Sequence, residues 1–145
     1  MELERYEIIE DSSKEVFAFI SEGEQGSITK AVRYRKMGGG IYNLAFGDWD
    51  SRRMRINDKA RSNNGDRKKV LATVAMTALD FLEAHPDAII DIKGSTPART
   101  RLYQMGINLY YYKMKHLFVI SGLYNDNWEI FQANKNYDAF QVRRR

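Results

Sequence analysis

Cysteine is absent from this 145-residue chain, and proline and histidine occur only twice each. Without a thiol there is no disulfide, no thiolate metal centre and no cysteine nucleophile, and the chain suits a reducing compartment. The two histidines, His85 and His116, have no ligand spacing and no neighbouring acid pair, which leaves them as structural residues. No apolar run approaches the roughly 18 residues that would span a bilayer. The amino-terminal Met1-Glu2-Leu3-Glu4-Arg5 is acidic where a secretion signal would be basic and then apolar, so a cytoplasmic location is expected. Also missing are the G-x-S-x-G elbow, the Walker lysine motif and the G-x-G-x-x-G fingerprint, which removes the commonest hydrolase and nucleotide signatures.

What is present suits a folded protein. Hydrophobic residues make up 43% and aromatics 12%, enough for a core in one domain over residues 1–145. The net charge of +4 conceals an asymmetry. Residues 1–25 hold eight acids against Arg5 and Lys14, and residues 52–69 hold eight bases against Asp58 and Asp66. The chain closes on Arg143-Arg144-Arg145. Such a separation steers anionic partners, or is neutralised internally across the fold.

The first third alternates like strands. Val16 to Ile20, Ser27 to Arg35 and Ile41 to Phe46 are rich in β-branched and aromatic residues, and Gly38-Gly39-Gly40 reads as a hairpin turn, so an antiparallel meander is expected. In the second strand Ile28, Lys30, Val32 and Tyr34 share a face. Residues 48–64 are aperiodic and polar, the longest candidate loop. Val70, Leu71, Val74, Ala75, Ala78, Leu79 and Leu82 then repeat at helical spacing, and His85-Pro86 stops the helix. Arg67, Lys68 and Lys69 crowd its first turn, where cations oppose the helix dipole; a bound anion or Asp66 would offset that cost.

The strand Ala88 to Lys93 leads into a second helix. Ser95 or Thr96 can cap it, Pro97 suits its first turn, and Gly106 offers a left-handed exit. Ala98, Leu102 and Met105 are expected to face the core. A short helix over residues 108–116 and a hairpin about Asn125-Asp126-Asn127 complete the order. The expected class is α+β: a mixed sheet with an antiparallel amino-terminal meander, a strand–helix–strand–helix half and a carboxy-terminal hairpin.

Two helix starts near strand ends are the candidate anion site, because uncapped amides and the helix dipole favour phosphate there. Its candidate ligand-binding residues are Arg61, Asn64, Gly65, Arg67 and Lys68 at the first helix, with Ser95, Thr96, Arg99 and Arg101 at the second. Arg99 and Arg101 lie about 200° apart around a helix, so at most one reaches an anion at the tip. A phosphate-bearing small molecule is one expected partner, and the alternative is a nucleic-acid-binding or toxin–antitoxin-type component that contacts phosphates through Arg52 to Lys69 and the Arg143 tail. A third alternative is a protein-interaction module whose charged patches meet a partner or a second copy in a homodimer.

The runs Asn43-Leu44-Ala45-Phe46-Gly47-Asp48, Asn63-Asn64-Gly65-Asp66, Val70-Leu71-Ala72-Thr73-Val74 and Gly94-Ser95-Thr96-Pro97-Ala98-Arg99-Thr100-Arg101-Leu102-Tyr103 resemble a small bacterial family with no assigned function, over nearly the whole chain. Residues 41–107 also resemble the core of the GNAT N-acetyltransferase fold. Leu102-Tyr103-Gln104-Met105-Gly106-Ile107 matches the ending of that core's second helix, and Arg61-Ser62-Asn63-Asn64-Gly65-Asp66 stands where its pyrophosphate loop belongs. This resemblance implies coenzyme A or acetyl-CoA as ligand and Tyr103 as the acid that protonates the leaving thiolate. The loop has one glycine where that pattern has two closely spaced small residues, and the amino-terminal helices of the fold have no counterpart.

Overall fold

The computed structural model describes residues 4–58 and 63–145. Among these, nine strands form one mixed sheet, and two helices pack on it. The strands are β1 (Ile9–Glu10), β2 (Val16–Gly23), β3 (Gly26–Gly38), β4 (Ile41–Asp50), β5 (Arg55–Asn57), β6 (Ile89–Ile92), β7 (Phe118–Tyr124), β8 (Asn127–Ile130) and β9 (Phe140–Arg144); the helices are α1 (Arg67–Ala84) and α2 (Pro97–Met114). The sheet order is β1-β2-β3-β4-β6-β9-β7-β8, with β5 paired to β4.

The expected meander is β2, β3 and β4. Gly38, Gly39 and Gly40 all take positive φ, between 62° and 100°, which closes the β3–β4 turn. Phe17, Phe19, Val32, Tyr34, Leu44 and Phe46 alternate inward and are buried. Alternate positions such as Ile20, Arg33 and Asp91 point away from the helices. α1 and α2 cover the inward face, where Tyr34 stacks on Phe81 at 4.4 Å and its hydroxyl meets that of Thr77 at 2.8 Å. The buried face of α1 therefore includes Thr73, Thr77 and Phe81, while Ala75 and Leu79 are only partly covered. Both threonines satisfy their hydroxyls on carbonyls within the helix, Lys69 and Val74, so burial costs them no hydrogen bond. His85 ends α1 and stacks on Phe81, with its ring Nδ1 3.0 Å from the Phe81 carbonyl.

The crossover through α1 makes β4 and β6 parallel, and they pair only over Ile41–Asn43 and Ile89–Asp91. Beyond Asn43 the two strands are no longer paired. Each is followed by a helix at its carboxyl end, β4 after the β5 excursion and β6 directly.

Four expectations need correction. The expected loop over residues 48–64 is partly strand: β4 runs to Asp50, and β5 folds back on it through a turn held by the Asp50 carboxylate accepting from the Arg52 and Arg53 amides. α2 does not stop at Gly106. It runs unbroken to Met114, absorbing the expected short helix, because Gly106 serves close helix packing rather than a left-handed exit: a Cβ there would lie 3.4 Å from Leu71 Cδ2. Arg143 and Arg144 are not a free basic tail. They belong to β9, which pairs with β6 and β7 at once and buries Phe140 and Val142. The β7–β8 hairpin is as expected, with Asn125 and Asp126 both at positive φ, as a two-residue type I′ turn requires. Finally, Ala98, Leu102 and Met105 do not face the core. The buried residues of α2 are Thr100, Tyr103, Gln104, Ile107 and Met114, which places the other face over open space.

Candidate functional site

That open space is a cavity of about 580 Å³ between the starts of α1 and α2. α1 and the loop before it contribute Asn63, Asn64, Asp66, Arg67, Val70 and Leu71; α2 and its cap contribute Thr96, Ala98, Arg99, Arg101, Leu102 and Met105; Lys30 and Phe46 come from the sheet.

The α1 start is built by the loop clamping onto the β2–β3 hairpin. Asn64 is buried, and its side chain donates to Ser21 Oγ at 3.0 Å and the Gly26 carbonyl at 2.9 Å while accepting from the Gln25 amide. Gly65 turns the chain at φ 75° into the helix. Asp66 occupies the N-cap position, but its carboxylate makes no capping bond. It accepts instead from the hydroxyls of Tyr6, at 2.6 Å, and Ser21. Burial and that bond to Asp66 raise the Tyr6 pKa above its ordinary value. The first amides of α1 are thus left without a side-chain cap, in a turn with no acidic residue and three cations. Lys69 is drawn toward the amino-terminal segment, 3.9 Å from Glu4 and over the Tyr6 ring at 4.3 Å. Arg67 is exposed and pairs with no carboxylate among the described residues.

The α2 start is the opposite case. Thr96 caps it by accepting from the Arg99 amide at 3.2 Å, and Pro97 has no amide to offer. Gly94 donates to Thr100 Oγ1, and a Cβ at Gly94 would stand 2.3 Å from the Thr100 nitrogen, so this turn demands glycine for close approach. Arg99 reaches back to donate to the Phe46 carbonyl at 2.9 Å and lies 5.8 Å from the Phe46 ring centroid. It occupies the β4 edge that β6 leaves unpaired. Arg101 turns the other way, to Gln104 and the Tyr137 carbonyl. Among the described residues, neither arginine pairs with the acidic amino-terminal segment.

Tyr103 lies behind this wall rather than in it. It is 8% exposed, and burial pushes its pKa up to about 12, against the opposing pull of Arg99 and the Phe46 backbone. Lys30 and Asp48 form a cross-strand ion pair on the inward face, their side chains 8% and 20% exposed.

Of the sequence-derived site residues, Asn64, Arg67, Thr96, Arg99 and Arg101 border one cavity. Gly65 shapes the turn; Lys68 is exposed and Ser95 is exposed, both off the cavity wall; Tyr103 is behind it; Arg61 lies outside the described residues. Reasoning from sequence missed Lys30, although a lysine at an inward position between Ile28 and Val32 was the available signal. It also missed the apolar wall, because helical spacing alone cannot tell a core from a cavity.

The chain belongs to a family of unknown function, DUF6934, whose model matches residues 2–145. No curated protein and no solved structure matches it.

Proposed function

We propose that this chain is an acyltransferase-like domain that binds a phosphate-bearing ligand of the coenzyme A type between the starts of α1 and α2. The observation that carries this reading is the shared cavity, which the uncapped start of α1 borders together with Arg67 and Arg99. Its volume lies within the roughly 300–1,000 Å³ usual for small-molecule pockets. A strand, loop and helix followed by a further strand and helix is the order the acetyltransferase resemblance implies, and β4, α1, β6 and α2 follow it apart from the inserted β5. The anion belongs at α1, since α2 is capped by its own Thr96.

Tyr103 enters this reading as a positioning residue beneath Arg99 and Phe46. A phenol held at about 12 is a poor donor to a thiolate whose conjugate acid has a pKa of about 8.5. The nucleic-acid alternative rests on Arg52, Arg53, Arg143 and Arg144, which are exposed, although Lys69 and Arg53 pair with acids.

Calorimetry and thermal shift with coenzyme A and acetyl-CoA test the proposal. Binding is expected, weakened about 10- to 150-fold by Arg99→Ala, the equivalent of about 1.5–3 kcal/mol for a charge-assisted hydrogen bond. Absence of heat and of any melting shift at millimolar ligand would overturn it.

A further inference from the structure

The cavity has two unlike walls. On α2, Ala98, Leu102 and Met105 follow the spacing of one helical face, yet Met105 is 40% exposed and Leu102 is only partly covered. Leu71 of α1 stands across from this face, with Gly106 bringing the two helices together. Leu71 is itself buried, so the apolar surface left uncovered among the described residues is that of Leu102 and Met105 on α2.

The other wall is cationic on balance, with Arg67, Arg99 and Arg101 set against the single carboxylate of Asp66 among the described lining residues. Asp66 is engaged by the Tyr6 and Ser21 hydroxyls, and Asp48 by Lys30. Arg67 and Arg99 have no carboxylate partner among the described residues, Arg99 being bonded to a neutral carbonyl. Phe46 is the aromatic residue of the wall, and its ring is already taken, by Phe19 on one side and Arg99 nearby. No ring on the described cavity wall is therefore open for a base to stack on.

From this juxtaposition we infer that the site takes an amphiphile, an anionic head on Arg67 and Arg99 joined to an unbranched apolar chain lying along Leu71, Leu102 and Met105. This rests on the reading that the cavity holds an anion, and it adds what the anion carries. Methionine suits such a wall, because its unbranched side chain adapts to a flexible hydrocarbon. The chain would cover the face of α2 that the fold leaves uncovered. The head would complete the cation-rich first turn of α1.

The probes are methyl, butyl, hexyl and octyl phosphate, each below its micellar concentration, titrated into the full chain by calorimetry. Burial of each added methylene should tighten binding about fourfold until the space is filled. Met105→Gln, at an exposed position, and Leu102→Asn should flatten this series, with melting curves confirming that both variants fold. Arg67→Ala should weaken every member by the same factor. If the phosphates and coenzyme A bind but affinity does not rise with chain length, the amphiphile inference fails and the anion-site reading stands. If affinity rises with chain length yet Arg67→Ala and Arg99→Ala change nothing, the head has no cationic seat, and both fail. If neither coenzyme A nor any alkyl phosphate binds, both fail as well.

Discussion

Truncating Leu102 to alanine separates a cavity wall from a core. Full burial of a leucine side chain is worth about 1.5–3 kcal/mol. Leu102 is only partly covered and already borders open space, so its truncation should remove about half of that and seal no new void. The expected loss of stability is about 1 kcal/mol, under the roughly 2–5 kcal/mol typical of large-to-small changes in a core. Ile107, five residues along the same helix and 6% exposed, supplies the internal reference, and Ile107→Ala should fall inside that core range. Urea titrations of the two variants beside the parent, followed by circular dichroism with a common m-value, give the comparison. Binding should rank the variants the other way: Leu102→Ala weakens an apolar ligand, and Ile107→Ala leaves affinity intact in whatever fraction is folded. A loss of 2 kcal/mol or more for Leu102→Ala, about equal to that of Ile107→Ala, would refute the placement of this face on the cavity.

Gly94→Ala should destabilise by about 1–3 kcal/mol or more, because a Cβ 2.3 Å from the Thr100 nitrogen forces backbone to move; an unchanged denaturation midpoint would contradict the close approach. Tyr103 has a folded-state pKa near 12 against an ordinary value of 10.0, so the unfolded chain loses that proton first and stability falls as pH rises from about 10 to 12. Tyr34, fully buried, shifts in the same direction. Tyr103→Phe should therefore flatten the alkaline limb by up to about 2–3 kcal/mol at pH 12, measured by urea midpoints from pH 9 upward; parallel curves for parent and variant would show that the phenol is not buried. A chain ending at Ala139 loses β9 from between β6 and β7 and should show no cooperative unfolding, whereas a sharp transition would mean that β9 is peripheral.

The meander, both helix starts and the α+β class were legible because each rests on local chemistry: alternating Phe17, Phe19, Val32 and Tyr34, the Gly38–Gly40 turn, the Thr96-Pro97 cap. Features set by distant packing were not. Gly106 looks like a helix terminator until Leu71 is seen against it. The alternation Phe140, Gln141, Val142, Arg143 is a strand signal, but its arginines read as a tail unless β6 and β7 are known to flank them. Ala98, Leu102 and Met105 show a helical face without showing what it covers. Lys30 announced itself only by interrupting an apolar strand face, and its partner Asp48 comes from cross-strand register that spacing alone does not fix.

The central claim is that an anion sits at the start of α1, within reach of Arg99. Amide chemical shifts recorded by nuclear magnetic resonance during a pyrophosphate titration test it most directly. The largest saturable shifts are expected at the amides of Arg67, Lys68 and Lys69, with a change at Arg99 and Phe46 as that hydrogen bond readjusts, and loss of the whole pattern in Arg67→Ala with Arg99→Ala combined. Shifts confined to the exposed Arg52–Arg55 turn, or none near α1 at millimolar pyrophosphate, would contradict it.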